Sequence, residues 1–451
     1  MTSRTLLSAG TGAAVLVLIG LSAQGGQAAT QSAAKTPISH LIVMTQDQHS
    51  FDNYFGARNG VDGIPHGICV PATAQSSTPC VTPFSLTASG LKPTLLATAA
   101  AQQVSVDGGR MDGFVRAQAA PRVNGKSSMG YYLPSDLPAI TELANNGVLF
   151  DHWFSSVPGG TIANRMFAIS ATAVPDTDQV PATGWADLPV IFDRLQSAGV
   201  SWKIYVENYA PTLTVNTADA RARRGGQLAR VPLLDLSRYE NSPALMAHIA
   251  DLDTYYSDLA TGSLPAVSWI VTTASTERAP ADPQNGQREA RNVVNALGES
   301  SAWPSSAFLL SYDSSGGWYD HVAPPTEDGA VLGLRVPALL ISPYATPGLV
   351  NHAQLDSASV LRFIETNWSL APLTSRDRNA TDMGTAFSFG HSPRPATILG
   401  TSTSGPVAPI PNRTVIYGIY LLAALAVAGV VAWAALGGRR ADSATAAAEL
   451  A

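Results

Sequence analysis

The sequence predicts an α/β fold with a mostly parallel sheet, and two observations carry that prediction. Short β-branched segments alternate with helix-like patterns between residues 37 and 389, which is typical of βαβ units. Several short segments are apolar at nearly every position, as expected of strands covered by helices on both faces. The predicted strands are Leu41–Met44, Trp202–Val206, Ala266–Val271, Ala307–Ser311 and Ala338–Ile341, and the predicted helices are Leu188–Ala198 and Ser357–Trp368.

Composition excludes two classes of protein. Of 451 residues, 45% are hydrophobic and 13% are charged, with a net charge of −6. Disorder is not predicted, because a disordered chain needs low hydrophobicity and high net charge. The 27 basic residues form no visible basic face or tail against 33 acidic ones, so nucleic acid is not an expected partner.

The beginning of the chain predicts export. Residues 1–29 have a basic residue at Arg4, then an apolar stretch, then small residues up to Ala29, which is the order of a cleaved signal peptide. An uncleaved anchor is the alternative, although the apolar stretch is short for a membrane span.

The end of the chain predicts a membrane anchor. Residues 414–436 contain no charge and, as a helix, would cross a bilayer, and two arginines follow this segment. The positive-inside rule then puts the tail, 437–451, in the cytoplasm. A buried core helix is the alternative. The sequence thus predicts a single-pass cell-membrane protein whose extracytoplasmic domain, 37–390, is joined to the membrane by a flexible Pro/Ser/Thr/Gly-rich stalk, 391–413.

The two cysteines, Cys69 and Cys80, lie in a segment rich in Pro, Ser and Thr. In an exported chain this context favours a disulfide. A zinc site is the alternative, but it would need further ligands.

Polar side chains follow two predicted strands where each strand ends. Asp47 and Gln48 follow the first strand, and Asp313 follows the strand Ala307–Ser311. Because ligands in open α/β sheets bind beyond the carboxyl ends of strands, we expect the two carboxylates to meet there. Such a site suits a divalent cation. As an alternative, Asp and Asn commonly end strands and begin turns.

A third element is the turn at Gly159 and Gly160, which precedes a helix predicted from Thr161 through Ser170. Free N–H groups and the helix dipole favour an anion at such a helix start. A hydroxyl placed there could attack phosphorus. The alternative is that Thr161 serves as an N-cap, which is the commonest role of Thr at this position.

Taken together, these motifs resemble the bacterial phospholipase C and acid phosphatase phosphoesterases, which have the alkaline-phosphatase-like α/β/α fold. The resemblance covers about Ile38 to Phe389 and implies an α/β/α sandwich. The motifs that carry it include HLIVMTQDQHSFDNYFG (His40–Gly56), GGRMDGFV (Gly108–Val115), FSSVPGGTIANRMF (Phe154–Phe167), YDSSGGWYDHVAPP (Tyr312–Pro325) and SVLRFIETNWSL (Ser359–Leu370).

The resemblance implies a phosphoester hydrolase in which a Ser or Thr nucleophile, assisted by metal, forms a phospho-enzyme that water cleaves. Matching the motifs position by position gives catalytic Thr161, Asp320 and His321 and metal-binding Asp47, Gln48 and Asp313. The expected phosphate-binding residues are Asn164 and Arg165, which follow Thr161 in the same motif, and Arg278.

Several positions depart from the family pattern. Asp47 replaces a Glu, Gln48 replaces an Asn, Ser314 replaces a second acid, and Arg278 stands where a His is usual. With fewer ligands, we expect the site to bind a cation weakly, to bind a different one, or to bind none. Arg278 is then a candidate to hold phosphate in place of the metal.

The sequence therefore predicts a hydrolase of phosphoric esters that acts on phospholipid head groups or small phosphomonoesters. A divalent metal ion of unspecified identity is the candidate cofactor. Two alternatives remain, a non-catalytic relative that binds a phosphorylated lipid or envelope component and a transferase or sulfatase-like enzyme of the same fold. His152 is a further candidate to reach the site, because it lies nine residues before Thr161.

Overall fold

An eight-stranded sheet organises residues 33–73, 79–87, 93–119 and 124–400, which are the residues that the computed structural model describes. The strands in these ranges, numbered in chain order, are β1 His40–Gln46, β2 Val70–Pro71, β3 Cys80–Val81, β4 Phe84–Leu86, β5 Gly130–Tyr132, β6 Val148–Phe150, β7 Trp202–Val206, β8 Ile249–Asp251, β9 Val267–Val271, β10 Ser306–Tyr312, β11 Thr326–Glu327, β12 Ala330–Val331, β13 Ala338–Ile341 and β14 Leu349–Asn351.

Helices connect and cover these strands. The α-helices in the same ranges are α1 Phe51–Phe55, α2 Ala99–Val106, α3 Phe114–Ala117, α4 Pro138–Asn146, α5 Thr161–Ser170, α6 Ile191–Ser197, α7 Ser237–Glu240, α8 Pro243–Met246, α9 Asp253–Thr261, α10 Pro283–Glu299, α11 Ser357–Trp368 and α12 Ser375–Asn379.

The strand order of the main sheet is β14-β6-β13-β10-β1-β9-β7-β8. The pairs β10–β1, β1–β9, β9–β7 and β7–β8 are all parallel, whereas β13 is antiparallel to both of its neighbours, β10 and β6. The sheet is therefore mixed, with a single antiparallel strand among the eight. The predicted α/β class with a mostly parallel sheet is confirmed.

The core lies on both faces of the sheet. Every residue of β9, β10, β13 and β6 is buried, so both faces of these strands must be covered. In one group of helices, α10 contacts α4 and α9. In a second group, α5 contacts α11 and α6. In α10 the buried apolar residues Ala290, Val293, Val294 and Leu297 recur at the spacing of one helix face. This arrangement forms helical layers around the sheet.

Periodicity predicted some elements better than others. The ranges Trp202–Val206, Ala338–Ile341, Thr161–Ser170 and Ser357–Trp368 agree with the observed elements. The longest helix, α10, was not predicted, because polar residues dominate its sequence. Its start signal was present, since Asp282 is followed by a proline and its side chain accepts from the amide of Gln284 at 3.0 Å.

The predicted membrane anchor requires a correction. Among the helices of residues 33–400 that the structure describes, none has the length and apolar character to cross a membrane. The segment 414–436, on which the prediction rested, lies outside the described residues, as do the predicted leader, 1–29, and tail, 437–451. The transmembrane helix and the single-pass membrane localisation are accordingly withdrawn from the predicted architecture.

Two smaller features stabilise segments outside the main sheet. Cys69 and Cys80 form the predicted disulfide, with their Cα atoms 5.4 Å apart. Part of the predicted stalk also contacts the domain, because the Trp303 indole donates to the carbonyl of Arg394 at 2.7 Å and Asn295 exchanges two hydrogen bonds with the backbone of Leu399. The compact unit extends through Leu399.

Candidate active site

Three loops meet at the carboxyl edge of the sheet. Asp47 follows β1, Asp313 follows β10, and Thr276 lies in the loop after β9. These strands are parallel neighbours, and Gln46 is paired with Tyr312, so the next residues along each strand lie side by side. The amide of Asp313 donates to the carbonyl of Gln46 at 3.0 Å, which continues the pairing past the strand ends. The predicted meeting of the two carboxylates follows from this register.

Two buried arginines hold the carboxylate of Asp47. Arg230 donates from Nε to both carboxylate oxygens, at 3.2 and 3.0 Å, and from Nη2 to Oδ2 at 2.6 Å. Arg165 donates from Nη2 to Oδ1 at 3.0 Å, and the hydroxyl of Thr276 donates to Oδ2. Burial raises the pKa of Asp47, but the charges of Arg230 and Arg165 outweigh burial and hold the pKa well below its ordinary value. Asp47 is therefore an ionised, fully buried anion.

Asp313 completes the group through Arg165. Its Oδ2 accepts from Arg165 Nε at 3.2 Å, and its Oδ1 accepts from the amide of Gln48 and the hydroxyl of Ser314, each at 3.2 Å. Burial and the neighbouring charge of Asp47 raise the pKa of Asp313 to about 6, although Arg165 opposes the shift. We call Asp47, Asp313, Arg165 and Arg230 the Asp47 cluster.

A rigid turn places Thr161 beside this cluster. The Asn164 side chain bonds the amide of Val157 at 3.1 Å and the carbonyl of Gly160 at 3.1 Å, which closes the turn over the first residues of α5. Gly159 has φ +131, a backbone conformation that favours glycine. Asn164 therefore shapes the turn, rather than lying free to bind phosphate as predicted.

Thr161 is the first helical residue, and the N-cap is Gly160. The hydroxyl of Thr161 is therefore not used as an N-cap, in contrast to the alternative drawn from the sequence. Its Oγ1 accepts from Gln48 Nε2 at 3.3 Å, and the side chain is nearly buried at 6% exposure. The first amides of a helix have no intrahelical acceptor, so the hydroxyl stands at an electropositive end.

Gln48 joins Thr161 to the Asp47 cluster. It has φ 59, in the left-handed region that costs a residue other than glycine about 1–3 kcal/mol. In this conformation its backbone amide bonds Asp313 while its side chain reaches Thr161. Gln48 thus orients the hydroxyl, because its side-chain amide nitrogen donates to Thr161. Its predicted role as a metal ligand stays a prediction.

The loop after β9 is held from two sides. Glu207 accepts from the amides of Thr273 and Ser275 at 2.9 and 2.8 Å. Glu277 is buried and accepts from the hydroxyls of Tyr54 and Tyr312 at 2.5 and 2.8 Å, and burial raises its pKa to about 8. These contacts fix Thr276 against Asp47.

Arg278 follows this loop, and only its backbone is tied to the site. Its amide donates to Thr276 Oγ1 at 3.2 Å. Within the part of the chain that the structure describes, its guanidinium makes no hydrogen bond to the Asp47 cluster. The phosphate-binding role of Arg278 stays a prediction.

The structure places Asp320 and His321 in a second group, which we call the Arg335 cluster and define as Asp52, Asp62, Asp320, His321 and Arg335. Arg335 donates to Asp320 Oδ1 at 2.8 Å and to Asp52 Oδ1 at 3.1 Å. His321 Nδ1 contacts Asp52 Oδ2 at 2.8 Å, and its Nε2 contacts Asp62 Oδ1 at 3.1 Å. Neither predicted catalytic residue bonds Thr161 in the described residues.

His152 also belongs beside this second group. Its Nε2 contacts Asp62 Oδ2 at 3.1 Å. The sequence separation of nine residues from Thr161 therefore did not bring it to the hydroxyl.

One set of side chains in the described residues has the geometry to hold a metal ion, since ligand atoms of Asp52, Asp320 and His321 all lie within 4.8 Å of one another. This set differs from the predicted ligands Asp47, Gln48 and Asp313. Arg335 already supplies a positive charge beside this set, because it donates to the carboxylates of Asp52 and Asp320.

The sequence did not indicate two residues that bond Asp47. They are Arg230, which belongs to the Asp47 cluster, and Thr276. Arg230 lies in a segment between β7 and α7 that has no helical or strand periodicity, so nothing in the sequence connected it to Asp47. Thr276 lies two residues before Arg278, and its residue type alone does not indicate a contact with Asp47.

A hydroxyl at a helix start, beside buried guanidinium groups at the carboxyl edge of an α/β sheet, is typical of an enzyme that acts on phosphoryl groups. The family of the chain agrees with that class. The model of the phosphoesterase family matches residues 38–371, and the chain belongs to this family. The resemblance stated from the sequence is confirmed.

Curated relatives are phospholipases by name. The chain is 29% identical over 426 residues to phospholipase C B of Mycobacterium tuberculosis, with 80% of each chain covered. It is 27% identical over 433 residues to a non-hemolytic phospholipase C of Pseudomonas aeruginosa, covering 78% of this chain and 58% of the relative. The family and these relatives support a phosphoric-ester hydrolase.

Among solved structures, a protein of the alkaline phosphatase superfamily from Vibrio parahaemolyticus aligns with a TM-score of 0.37 and 12% identity, over 77% of this chain and 69% of that chain. A likeness of this degree carries no argument about the site.

Proposed function

We propose that this protein hydrolyses phosphoric esters of the phospholipase C type, with Thr161 as the nucleophile. The observation that carries the proposal is the hydroxyl of Thr161, which begins α5 without capping it and is oriented by Gln48 beside the Asp47 cluster. The names of the relatives favour a phospholipid or a smaller phosphoester as substrate.

In the proposed reaction, Thr161 Oγ1 attacks the phosphorus of a phosphodiester and the bond from phosphorus to one alcohol breaks, which leaves the phosphorylated head group esterified to Thr161. The hydroxyl proton, directly or through water, goes to the departing alcohol. A water molecule then attacks the phosphorus, breaks its bond to Oγ1, releases the phosphorylated head group and returns a proton to Thr161. The amides at the start of α5 face the developing negative charge. Gln48 donates to Oγ1 and so fixes the direction of attack.

Arg165 is the basic residue best placed to support this step. It lies one helical turn after Thr161 on α5, so both side chains occupy the same face of the helix. Its Nη1 is buried and has no hydrogen-bond partner in the described residues, whereas Nε and Nη2 bond Asp313 and Asp47. We assign no step to a metal ion, because the oxygens of Asp47 and Asp313 already accept from these donors.

The test is release of product by the full chain from p-nitrophenyl phosphorylcholine and from phosphatidylcholine vesicles. The wild type is compared with Thr161→Ala, and Thr161→Ser is the matched variant that keeps a hydroxyl. Hydrolysis by the wild type and by Thr161→Ser, with loss in Thr161→Ala, supports the proposal. Hydrolysis no faster in the wild type than in Thr161→Ala would refute it.

A second candidate is a non-catalytic protein that binds a phosphorylated lipid or envelope component. The observation that favours it is the burial of the Asp47 cluster, whose arginines are 4% and 6% exposed and already paired with carboxylates. Saturable binding to anionic vesicles that is equal in the wild type and Thr161→Ala, with no turnover, would favour this candidate over the enzyme.

A further inference from the structure

We infer that Arg230 and Arg165 take the place of a divalent cation at the carboxyl edge of this sheet, so that the site works without a bound metal. The inference deepens the proposed function, because it names the positive charge on which that site depends. It concerns the donor atoms of this chain and can be tested by metal binding alone.

The first argument is the bonding of Asp47. An ionised carboxylate offers about four lone-pair positions. Arg230 donates to Asp47 from Nε and Nη2, Arg165 from Nη2, and Thr276 from its hydroxyl. These donors occupy both oxygens, so a cation could reach Asp47 only by displacing one of them.

The second argument is the bonding of the other two predicted ligands. Asp313 accepts from Arg165, from the amide of Gln48 and from Ser314. Gln48 turns its amino group toward Thr161. The predicted set Asp47, Gln48 and Asp313 therefore does not form a converging group of free oxygen ligands, which is what a hard cation requires.

The third argument is the balance of charge. Two carboxylates and two guanidinium groups make the Asp47 cluster neutral when both acids are ionised. A divalent cation bound to Asp47 would lie beside the guanidinium groups of Arg165 and Arg230. Adjacent like charges repel strongly in a buried site. A divalent cation needs ligands whose negative charge exceeds the positive charge of the neighbouring side chains. The Asp47 cluster has no such excess.

Arg230 is also fixed in position. Its Nη1 donates to the carbonyl of Gly226 at 3.1 Å. The neighbouring Gln227 exchanges hydrogen bonds with the backbone of Ala210, each at 2.9 Å, and donates to the carbonyl of Leu213 at 2.7 Å. The segment before α7 therefore holds the guanidinium group of Arg230 in a fixed position against Asp47.

The experiment first measures metal in the full wild-type chain. We expect no stoichiometric Zn²⁺, Mn²⁺, Ca²⁺ or Mg²⁺ by elemental analysis, and the same thermal midpoint in EDTA as in each cation. A stoichiometric metal that is lost in Asp47→Asn and kept in Asp320→Asn would overturn the inference, because Asp320 belongs to the other group of side chains that could hold a metal.

A second arm asks whether Arg230 is the replacement. We expect Arg230→Gln to gain a rise in thermal midpoint with Mn²⁺, because Asp47 then lacks its main cation. Arg224→Gln is the matched control, since Arg224 lies in the same segment but pairs with Asp178 at the surface, and it should gain nothing. An equal response to Mn²⁺ in the wild type and Arg230→Gln would contradict the assignment.

Turnover in EDTA separates this inference from the proposed function. Hydrolysis that persists in EDTA supports both. Hydrolysis that EDTA abolishes and a cation restores would overturn the inference while leaving the proposed function intact. If no substrate is hydrolysed under any condition, the proposed function fails, and the metal measurements on the wild type, Asp47→Asn and Arg230→Gln still decide the inference.

Discussion

Two clusters of the same chemistry lie beyond the carboxyl ends of β1 and β10, and they differ in what adjoins them. In the first, Asp47 and Asp313 are paired with Arg165 and Arg230, and in the second, Asp52 and Asp320 are paired with Arg335; all of these side chains are buried. The Asp47 cluster adjoins the hydroxyl of Thr161 through Gln48. The Arg335 cluster instead joins loops to one another. The comparison teaches that residue type and burial do not by themselves distinguish the two clusters, because only the Asp47 cluster adjoins the proposed nucleophile, Thr161, in the described residues.

Arg335 shows what a structural arginine looks like in this molecule. It is fully buried, and it donates to Asp320 and Asp52 and, through Nη1, to the carbonyls of Asp62 and Asp151, each at 2.9 Å. Its guanidinium also lies 4.8 Å from the ring of Phe51. Every donor has a partner, whereas Nη1 of Arg165 has none among the described residues.

The largest effect is expected at Thr161. Thr161→Ala should lower kcat/KM by about a thousandfold or more, since loss of the proposed nucleophile removes the covalent step. The measurement is steady-state hydrolysis of p-nitrophenyl phosphorylcholine by the full chain. His321→Ala is the contrasting variant from the Arg335 cluster. An equal loss in both variants would break the distinction between the clusters.

The second effect concerns stability. Arg335→Met should lower the free energy of unfolding by about 3–5 kcal/mol, because two buried carboxylates lose their positive partner. Chemical denaturation at neutral pH measures the change. Arg224→Met removes an exposed ion pair and should cost about 1 kcal/mol or less. A cost for Arg335→Met as small as that of the control would show that the Arg335 cluster does not hold the loops together.

The third prediction uses pH. Burial raises the pKa of Asp313 and of Asp320 to about 6. Because the ordinary value lies near 4, the folded protein holds these protons more tightly, and the free energy of unfolding should fall as pH rises from about 4 to about 6. Asp313→Asn and Asp320→Asn should each reduce this fall, as measured by denaturation across that range.

Activity then separates the two carboxyl groups. An ionised Asp313 is needed to hold Arg165, so kcat/KM should rise with pH through about 6, and Asp313→Asn should remove that limb of the profile. The profile of Asp320→Asn should keep the limb. If Asp320→Asn alone removed it, the Arg335 cluster would be the reactive one.

The smallest effect is expected at Arg278. Arg278→Ala should change kcat/KM by less than about tenfold, because its guanidinium makes no bond to the Asp47 cluster in the described residues and its backbone amide, which remains, makes the contact to Thr276. The same hydrolysis assay measures it, with Arg278→Lys as control. A loss close to that of Thr161→Ala would restore the phosphate-binding role predicted from the sequence.

Particular residues show how far the sequence could predict the site. Asp47 and Asp313 were predicted to meet, and they do, because the parallel pairing of β1 with β10 fixes their register. Asp320 and His321 follow the same strand and match the same family motif, yet the chain turns at Gly316 and Gly317, both with positive φ, and carries them to Arg335. A motif gives the order of residues along the chain and does not give the direction in which a turn sends them.

The sequence by itself determined the class of fold, the family, the disulfide and the helix that begins at Thr161, because each depends on local pattern or on an ordered run of motifs. Only the tertiary structure decided which charges stand against Asp47. Arg230 is separated from Asp47 by 183 positions in the chain. The pairing of two buried charges over such a distance depends on how several loops pack, and no local periodicity records that packing.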